Sequence, residues 1–353
     1  MRSIYYIETA KLEDFLNQLP KKFSVFVPQA KEYTPPKETD YSYHKLSTAQ
    51  EFTFNPYRMV QPLKSFFTWP QDNVSSYFTQ DKRINEVEKA VIVGVKSCDL
   101  VAHRIQDFVF LEGEKIDSLY RLRRENTVFI SSDCTAFKQV CFCLALDIFP
   151  YPEEGFDLNL SPLNEGYLVE VGSEKGEALV RGYQEYFSPA RDTQVAGRLA
   201  KRDNLVGRLK KHLLPQNIPE KESLQALVKQ GYGLATWGEF MLTCVECGGC
   251  NLICDTCHCF LLTDKKEGSL NQKLRLWDSC LYANYARVAA GANPLKTRTQ
   301  RLRNRFMKKF DFFVDNLGIP ACCGCGRCIE VCPGKIDIRE VLKDLDKRLR
   351  VKI

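Results

Sequence analysis

CVECGGCNLIC, residues 244–254, and CCGCGRCIEVCP, residues 322–333, decide how this chain folds. Cys244, Cys247, Cys250 and Cys254 follow C-x2-C-x2-C-x3-C. Cys322, Cys325, Cys328 and Cys332 repeat that spacing, with Pro333 after the last. Three cysteines at two-residue gaps can wrap three corners of one [4Fe-4S] cubane, while the fourth, on the helix that follows, points away and reaches the other cluster. The spacing therefore predicts two clusters with exchanged fourth ligands. Cys244, Cys247, Cys250 and Cys332 would hold one, and Cys322, Cys325, Cys328 and Cys254 the other. Structural zinc also uses CxxC knuckles, but a zinc ribbon takes two cysteines from each of two separated knuckles. Here four are crowded into eleven residues, twice. Gly248, Gly249, Gly324 and Gly326 fit a cluster as well, since they let backbone N–H groups approach its sulfurs.

Two positions depart from the ferredoxin pattern. Asp255 stands after Cys254 where proline is usual, and Cys323 sits beside Cys322 as a spare thiol. A carboxylate disfavours the more negative reduced state, so the cluster holding Cys254 is expected to have the lower potential. Cys323 reads as a small buried hydrophobe.

Twelve of the sixteen cysteines lie between Cys244 and Cys332, so the chain divides chemically near residue 235. Before that point FSVFV (23–27), AVIVGV (90–95), TVFISS (127–132) and YLVEVG (167–172) read as strands between helical segments. The expected class is α+β: an N-terminal mixed α/β domain over 1–190, a helical linker over 191–235, and a ferredoxin-like dicluster domain over 236–353 with a helical insertion at 255–321. The linker follows from the helical spacing of Val195, Leu199, Leu205, Leu209 and Leu213, interrupted by Pro215 and Pro219. Ile338, Val341, Leu342, Leu345 and Leu349 form the apolar stripe of a last helix that would pack back on the clusters.

Seven cysteines remain, in two sets. Cys98, Cys134, Cys141 and Cys143 follow strands or sit in the loop after one, so they can converge at one sheet edge and complete a third ligand set. Alternatively Cys257, Cys259 and Cys280 hold the third cluster, with His258 or a residue of the first set as fourth ligand. Buried, unligated thiols are the plain reading of either set.

At 353 residues the chain has room for about two domains at roughly 150 residues each, and no apolar run approaches the roughly 18 residues of a membrane span. Glu8, Lys11, Glu13 and Asp14 interrupt what an export signal would need as an apolar core, so a cytoplasmic protein is expected. A net charge of +6 is mild and names no partner. KTRTQRLRNRFMKK, 296–309, carries seven basic residues and no acidic one. It reads first as a solvated basic helix, next as a docking face for a partner subunit or acidic ferredoxin, and last as a nucleic-acid contact. Neither GxGxxG nor GxxxxGK[ST] occurs, so nucleotide chemistry is expected elsewhere. His44, His103, His212 and His258 read as surface or packing residues, with His103 and Asp107 at the spacing of a surface hydrogen bond.

Taken together, GVKSCD around Cys98, CFC at 141–143, GFDL at 155–158, CGGCNLICDTCHCF, WDSC ending at Cys280, AAGAN at 289–293 and CGCGRCIEVCP give the chain a likeness. It resembles the iron–sulfur subunit family that includes the beta subunit of cytoplasmic sulfhydrogenases and the iron–sulfur subunit of anaerobic sulfite reductases. The resemblance implies an electron-transfer subunit without catalysis of its own. Its partners would be a flavin/NAD(P)-binding subunit or ferredoxin on one side and a catalytic oxidoreductase subunit on the other. It also implies that cysteines outside the ferredoxin motifs bind a third cluster. Two rival readings are a cluster-dependent thiol/disulfide reductase and a zinc-stapled nucleic-acid-binding module.

Overall fold

Ala90–Val95 has no polar side chain, and such a strand is stable only where both sheet faces are covered. It lies near the middle of an eight-stranded sheet in the computed structural model, which describes residues 2–31, 38–47, 54–77, 87–268 and 270–351. The strands in chain order are β1 (Ile4–Glu8), β2 (Ser24–Lys31), β3 (Asp40–Lys45), β4 (Gln71–Tyr77), β5 (Ala90–Val95), β6 (Thr127–Ser132), β7 (Leu158–Pro162), β8 (Gly166–Val171) and β9 (Ser188–Pro189). The large sheet runs β3-β2-β5-β6-β7-β8-β1-β9. Its centre, β2-β5-β6-β7, is parallel and both flanks are antiparallel.

One sheet face buries Leu12, Phe15 and Leu16 of α1 (Thr9–Gln18) with Val91, Val93 and Ile130. The other packs Leu100 and Phe110 of α2 (Ser97–Leu111) and Tyr120 of α3 (Ser118–Glu125) against Ile92 and Phe129. α4 (Glu174–Gly182) joins the first face, and Ser173 caps it by accepting from the Gly176 N–H. The expected linker is helical: α5 (Asp192–Leu213) ends before Pro215, and α6 (Leu224–Gln230) resumes after Pro219.

A second core holds the C-terminal part. Leu227 of α6, Trp237 of α7 (Thr236–Met241), Leu302 and Phe306 further on, and Val341 and Leu345 of the last helix close around one another. Trp237 is wholly buried and donates its indole N–H to the Gly231 carbonyl at 2.8 Å.

The insertion differs from expectation. After the short α8 (Gly249–Leu252) the chain forms a β-hairpin, β10 (Phe260–Glu267) and β11 (Leu270–Trp277), and β11 pairs with β4, about 200 residues earlier in the chain. FLLTDKKE and LNQKLRLW form strands because Gly268, at φ +60°, turns the chain and β4 offers an edge. Only the second half of the insertion is helical: α9 (Arg298–Met307), a π-turn at Lys308–Phe312, and α10 (Phe313–Leu317). Thr297 and Gln300 begin α9 with reciprocal side-chain-to-backbone bonds of 3.2 and 2.9 Å. The short α11 (Arg327–Glu330) and the long α12 (Ile338–Val351) complete the chain.

Candidate metal centres

Cys244, Cys247, Cys250 and Cys332 line one cavity together with Cys328, Gly248, Arg305 and Phe306. The motif's first three cysteines thus meet the last cysteine of the other motif. Gly248 permits this through φ +71°, and a Cβ there would strike the Tyr282 hydroxyl at 2.6 Å. Backbone N–H groups of Glu246 and Ile336 point at Cys244 Sγ and Cys332 Sγ, each at 3.4 Å.

Cys254 lies among Cys322, Cys325 and Cys328, close enough to act electrostatically on each of them. Burial pushes the Cys322 thiol up to about 11 and the Cys328 thiol up to about 12. Cys325 is held down to about 6 by its hydrogen bond with Cys323 and by Arg327 and Arg58. Cys323 is buried with Cys98 and Cys325, as a small hydrophobe would be.

The first extra set converges where the sequence places it, beyond the carboxyl ends of β5 and β6. Cys98 opens α2, Cys134 follows β6, and Cys141 and Cys143 come from the loop after it. Cys134 faces Cys98 and Cys141, and Cys143 faces Cys134 and Cys141. Burial pushes Cys134 up to about 12 against the pull of Lys96, whose ammonium donates to Ser132 Oγ at 2.7 Å. This loop lies backbone to backbone on the second motif. The Phe142 N–H donates to the Gly324 carbonyl at 2.8 Å, and a Cβ on Gly324, at φ +63°, would come within 2.5 Å of the Cys143 backbone. Only glycine fits there.

The second extra set also converges, at a separate place. Cys257, Cys259 and Cys280 line a cavity with His258, Asn251, Lys308 and Lys309. Asn251 donates to Cys280 Sγ at 3.0 Å and accepts from Cys257 Sγ at 3.7 Å. Cys254 and Cys257 share a hydrogen bond, as do Cys259 and Cys280. Among the described residues no three Cys, His, Asp or Glu side chains close on a single ion. A tetrahedral ion with bonds of about 2.3 Å would draw its thiolates to within about 4 Å of one another, whereas a cubane offers a separate iron to each.

Sequence reasoning missed the cations. Arg301, Arg305 and Lys309 are each no more than 5% exposed, so these three point into the fold rather than to solvent, while Lys296 and Arg298 stay exposed. Arg305 lies among Cys250, Cys328, Cys257 and Cys254. Lys309 donates to Cys254 Sγ at 3.4 Å and to Thr256 Oγ1 at 2.8 Å; burial works against its charge, and Cys254 and Cys257 hold its pKa up. Arg301 donates to the Leu281 carbonyl at 3.0 Å and pairs with Glu246. The signal was present, since the seven cations stand between two thiolate-rich motifs. What the sequence lacks is the partner of each.

Arg327, wholly buried, pairs with Asp99 at 2.6 Å and Asp255 at 3.0 Å. Asp255 also accepts from the Lys64 backbone N–H at 2.9 Å. His103 is likewise buried rather than at the surface. Its Nε2 lies 3.7 Å from Asp107 and 3.4 Å from the Tyr120 hydroxyl, and burial holds its pKa well below the usual imidazole value. Arg305 Nη2 and Arg327 Nη2 are buried with no hydrogen-bond partner among the described residues. Buried donors beside gathered thiols fit the anionic, sulfide-rich surface of an iron–sulfur cluster.

Residues 243–336 match the 4Fe-4S dicluster domain family. The chain is similar to sulfhydrogenase 2 subunit beta of Pyrococcus furiosus, 29% identical over 340 residues that cover 95% of this chain and 96% of that one. Both findings support the iron–sulfur beta-subunit family that the motifs resemble, and the dicluster match runs against the zinc reading. Among the described residues no helix is long and apolar enough to cross a membrane.

Proposed function

We propose that this chain is the electron relay of a multi-subunit oxidoreductase, taking electrons from a flavin/NAD(P)H subunit or ferredoxin and passing them to a catalytic subunit such as a hydrogenase. Cys244, Cys247, Cys250 and Cys332 would hold one [4Fe-4S] cluster. Cys322, Cys325, Cys328 and Cys254 would hold the second, and Cys98, Cys134, Cys141 and Cys143 a third. Such clusters, when bound, accept and release single electrons.

The reading is supported above all by the place of two cysteines: Cys332 lies in the cavity of the first motif and Cys254 among the thiols of the second. The chain's own residues supply position, counter-charge and dryness. Arg305, Lys309, Arg327 and Arg58 offset thiolate charge, and Phe142, Phe306 and Trp237 keep water from the second core. The Cys98 set lies against Cys325, so electrons would pass between the α/β part and the dicluster part through that contact. A cytoplasmic site of action fits the reducing conditions that free thiols need.

Anaerobic purification with iron quantitation and EPR tests this. About twelve irons per chain are expected for three clusters and about eight for two alone. An iron-free protein with no paramagnetic signal on reduction would overturn the reading.

A further inference from the structure

We propose that Cys257, Cys259 and Cys280, with His258 Nε2 as the fourth donor, hold a fourth iron–sulfur cluster, distinct from the three above and resting on the same iron–sulfur reading. The first ground is geometry. The three thiols and the imidazole line one cavity, and Asn251 ties Cys257 to Cys280. None of Cys98, Cys134, Cys141 and Cys143 lines that cavity, so the Cys98 set does not supply the missing corner.

The second ground is the state of the imidazole. His258 Nδ1 lies 3.2 Å from the Thr256 carbonyl oxygen. A carbonyl only accepts, so Nδ1 carries the proton and Nε2 presents a lone pair. An N–H fixed on a backbone carbonyl is the usual second contact of a metal-binding histidine. Phe313, with its ring centroid 5.5 Å from that of the imidazole, packs on the ring.

The third ground is charge. Lys64 donates to the carbonyls of Asn251 and Cys257 at 3.1 and 3.0 Å, and Arg305 donates to Asn251 Oδ1 at 3.0 Å. Lys64, Arg305 and Lys309 are all buried, and among the described residues none forms an ion pair with a carboxylate. Buried cations are costly without acidic partners, and Cys254 and Cys257 face all three, with Asp255 also beside Lys64. Cys254 belongs to the second ferredoxin set, so Cys257, next to it, places the fourth cluster directly beside the second.

Pulsed EPR of the anaerobic, partly reduced full chain provides the test. A strongly coupled nitrogen is expected on one cluster signal, together with about sixteen irons per chain. His258→Ala should abolish the nitrogen coupling and, on oxidation, give the signal of a three-iron cluster. His258→Cys should keep all the iron and lose the nitrogen coupling. Cys259→Ser with Cys280→Ser should lose about four irons and leave the dicluster signals intact. Dicluster signals with no coupled nitrogen, or a coupling that survives His258→Ala, would overturn this proposal alone. Loss of every iron signal in the unmodified chain would overturn the relay reading instead.

Discussion

Asp255 shows how one buried side chain changes what its charge can do. In sequence it is a carboxylate next to a ligand position, expected to lower the potential of the cluster at Cys254. In the fold it shares Arg327 with Asp99, so one guanidinium answers two carboxylates. Burial and Asp99 push its carboxyl up, while Arg327 and the Lys64 N–H pull it down. Asp255→Asn removes the negative charge and keeps a side-chain oxygen for the Lys64 amide. A redox titration followed by EPR at pH 8 is expected to show the midpoint raised by about 60 mV, equivalent to about 1.4 kcal/mol for one electron. An unchanged midpoint would mean that Arg327 or a bound proton already cancels the charge. The position of Asp255 beside Cys254 could be read from the sequence. Its pairing could not, since Arg327 and Asp99 are distant in the chain.

Helix α9 departs from its sequence reading for a related reason. Its Thr297–Gln300 start and its Leu302–Phe306 stripe are local patterns, and both are present in the fold. The destination of its arginines depends on residues from Leu281 to Glu246, which no helical period encodes. Arg301→Glu is expected to cost about 3–5 kcal/mol, because it sets a carboxylate against Glu246 and strips the Leu281, Leu295 and Lys296 carbonyls of their donor. Arg303→Glu loses only a contact with Tyr232 at the surface and should cost about 1 kcal/mol or less. Anaerobic urea unfolding distinguishes the two, and equal midpoints would restore the reading of α9 as a solvated helix. The hairpin β10–β11 escaped notice because its stabilising neighbour, β4, comes from the other end of the chain.

At the scale of the whole molecule, the two parts that the sequence suggested as separate domains share their polar interior. Arg58 donates to the Cys325 carbonyl at 2.8 Å, Arg327 to the Met59 carbonyl at 2.9 Å, and Phe142 to Gly324. Residues 236–353 expressed alone would leave Arg327 without Asp99 and the second motif without its floor. Iron per chain is expected to fall below that of the same segment co-expressed with residues 1–235, and equal loading would show the C-terminal part to be self-sufficient. The ferredoxin motifs were legible because four cysteines within eleven residues specify their own geometry. The relation between the halves was not, since it is written in contacts between residues some 270 positions apart. Arg305 carries one further consequence. It is a common neighbour of thiols from three of the four gathered groups, so its single positive charge is divided among them. With all three occupied, filling one would weaken the pull felt by the next, and the molecule would hold fewer electrons at once than it has places for them.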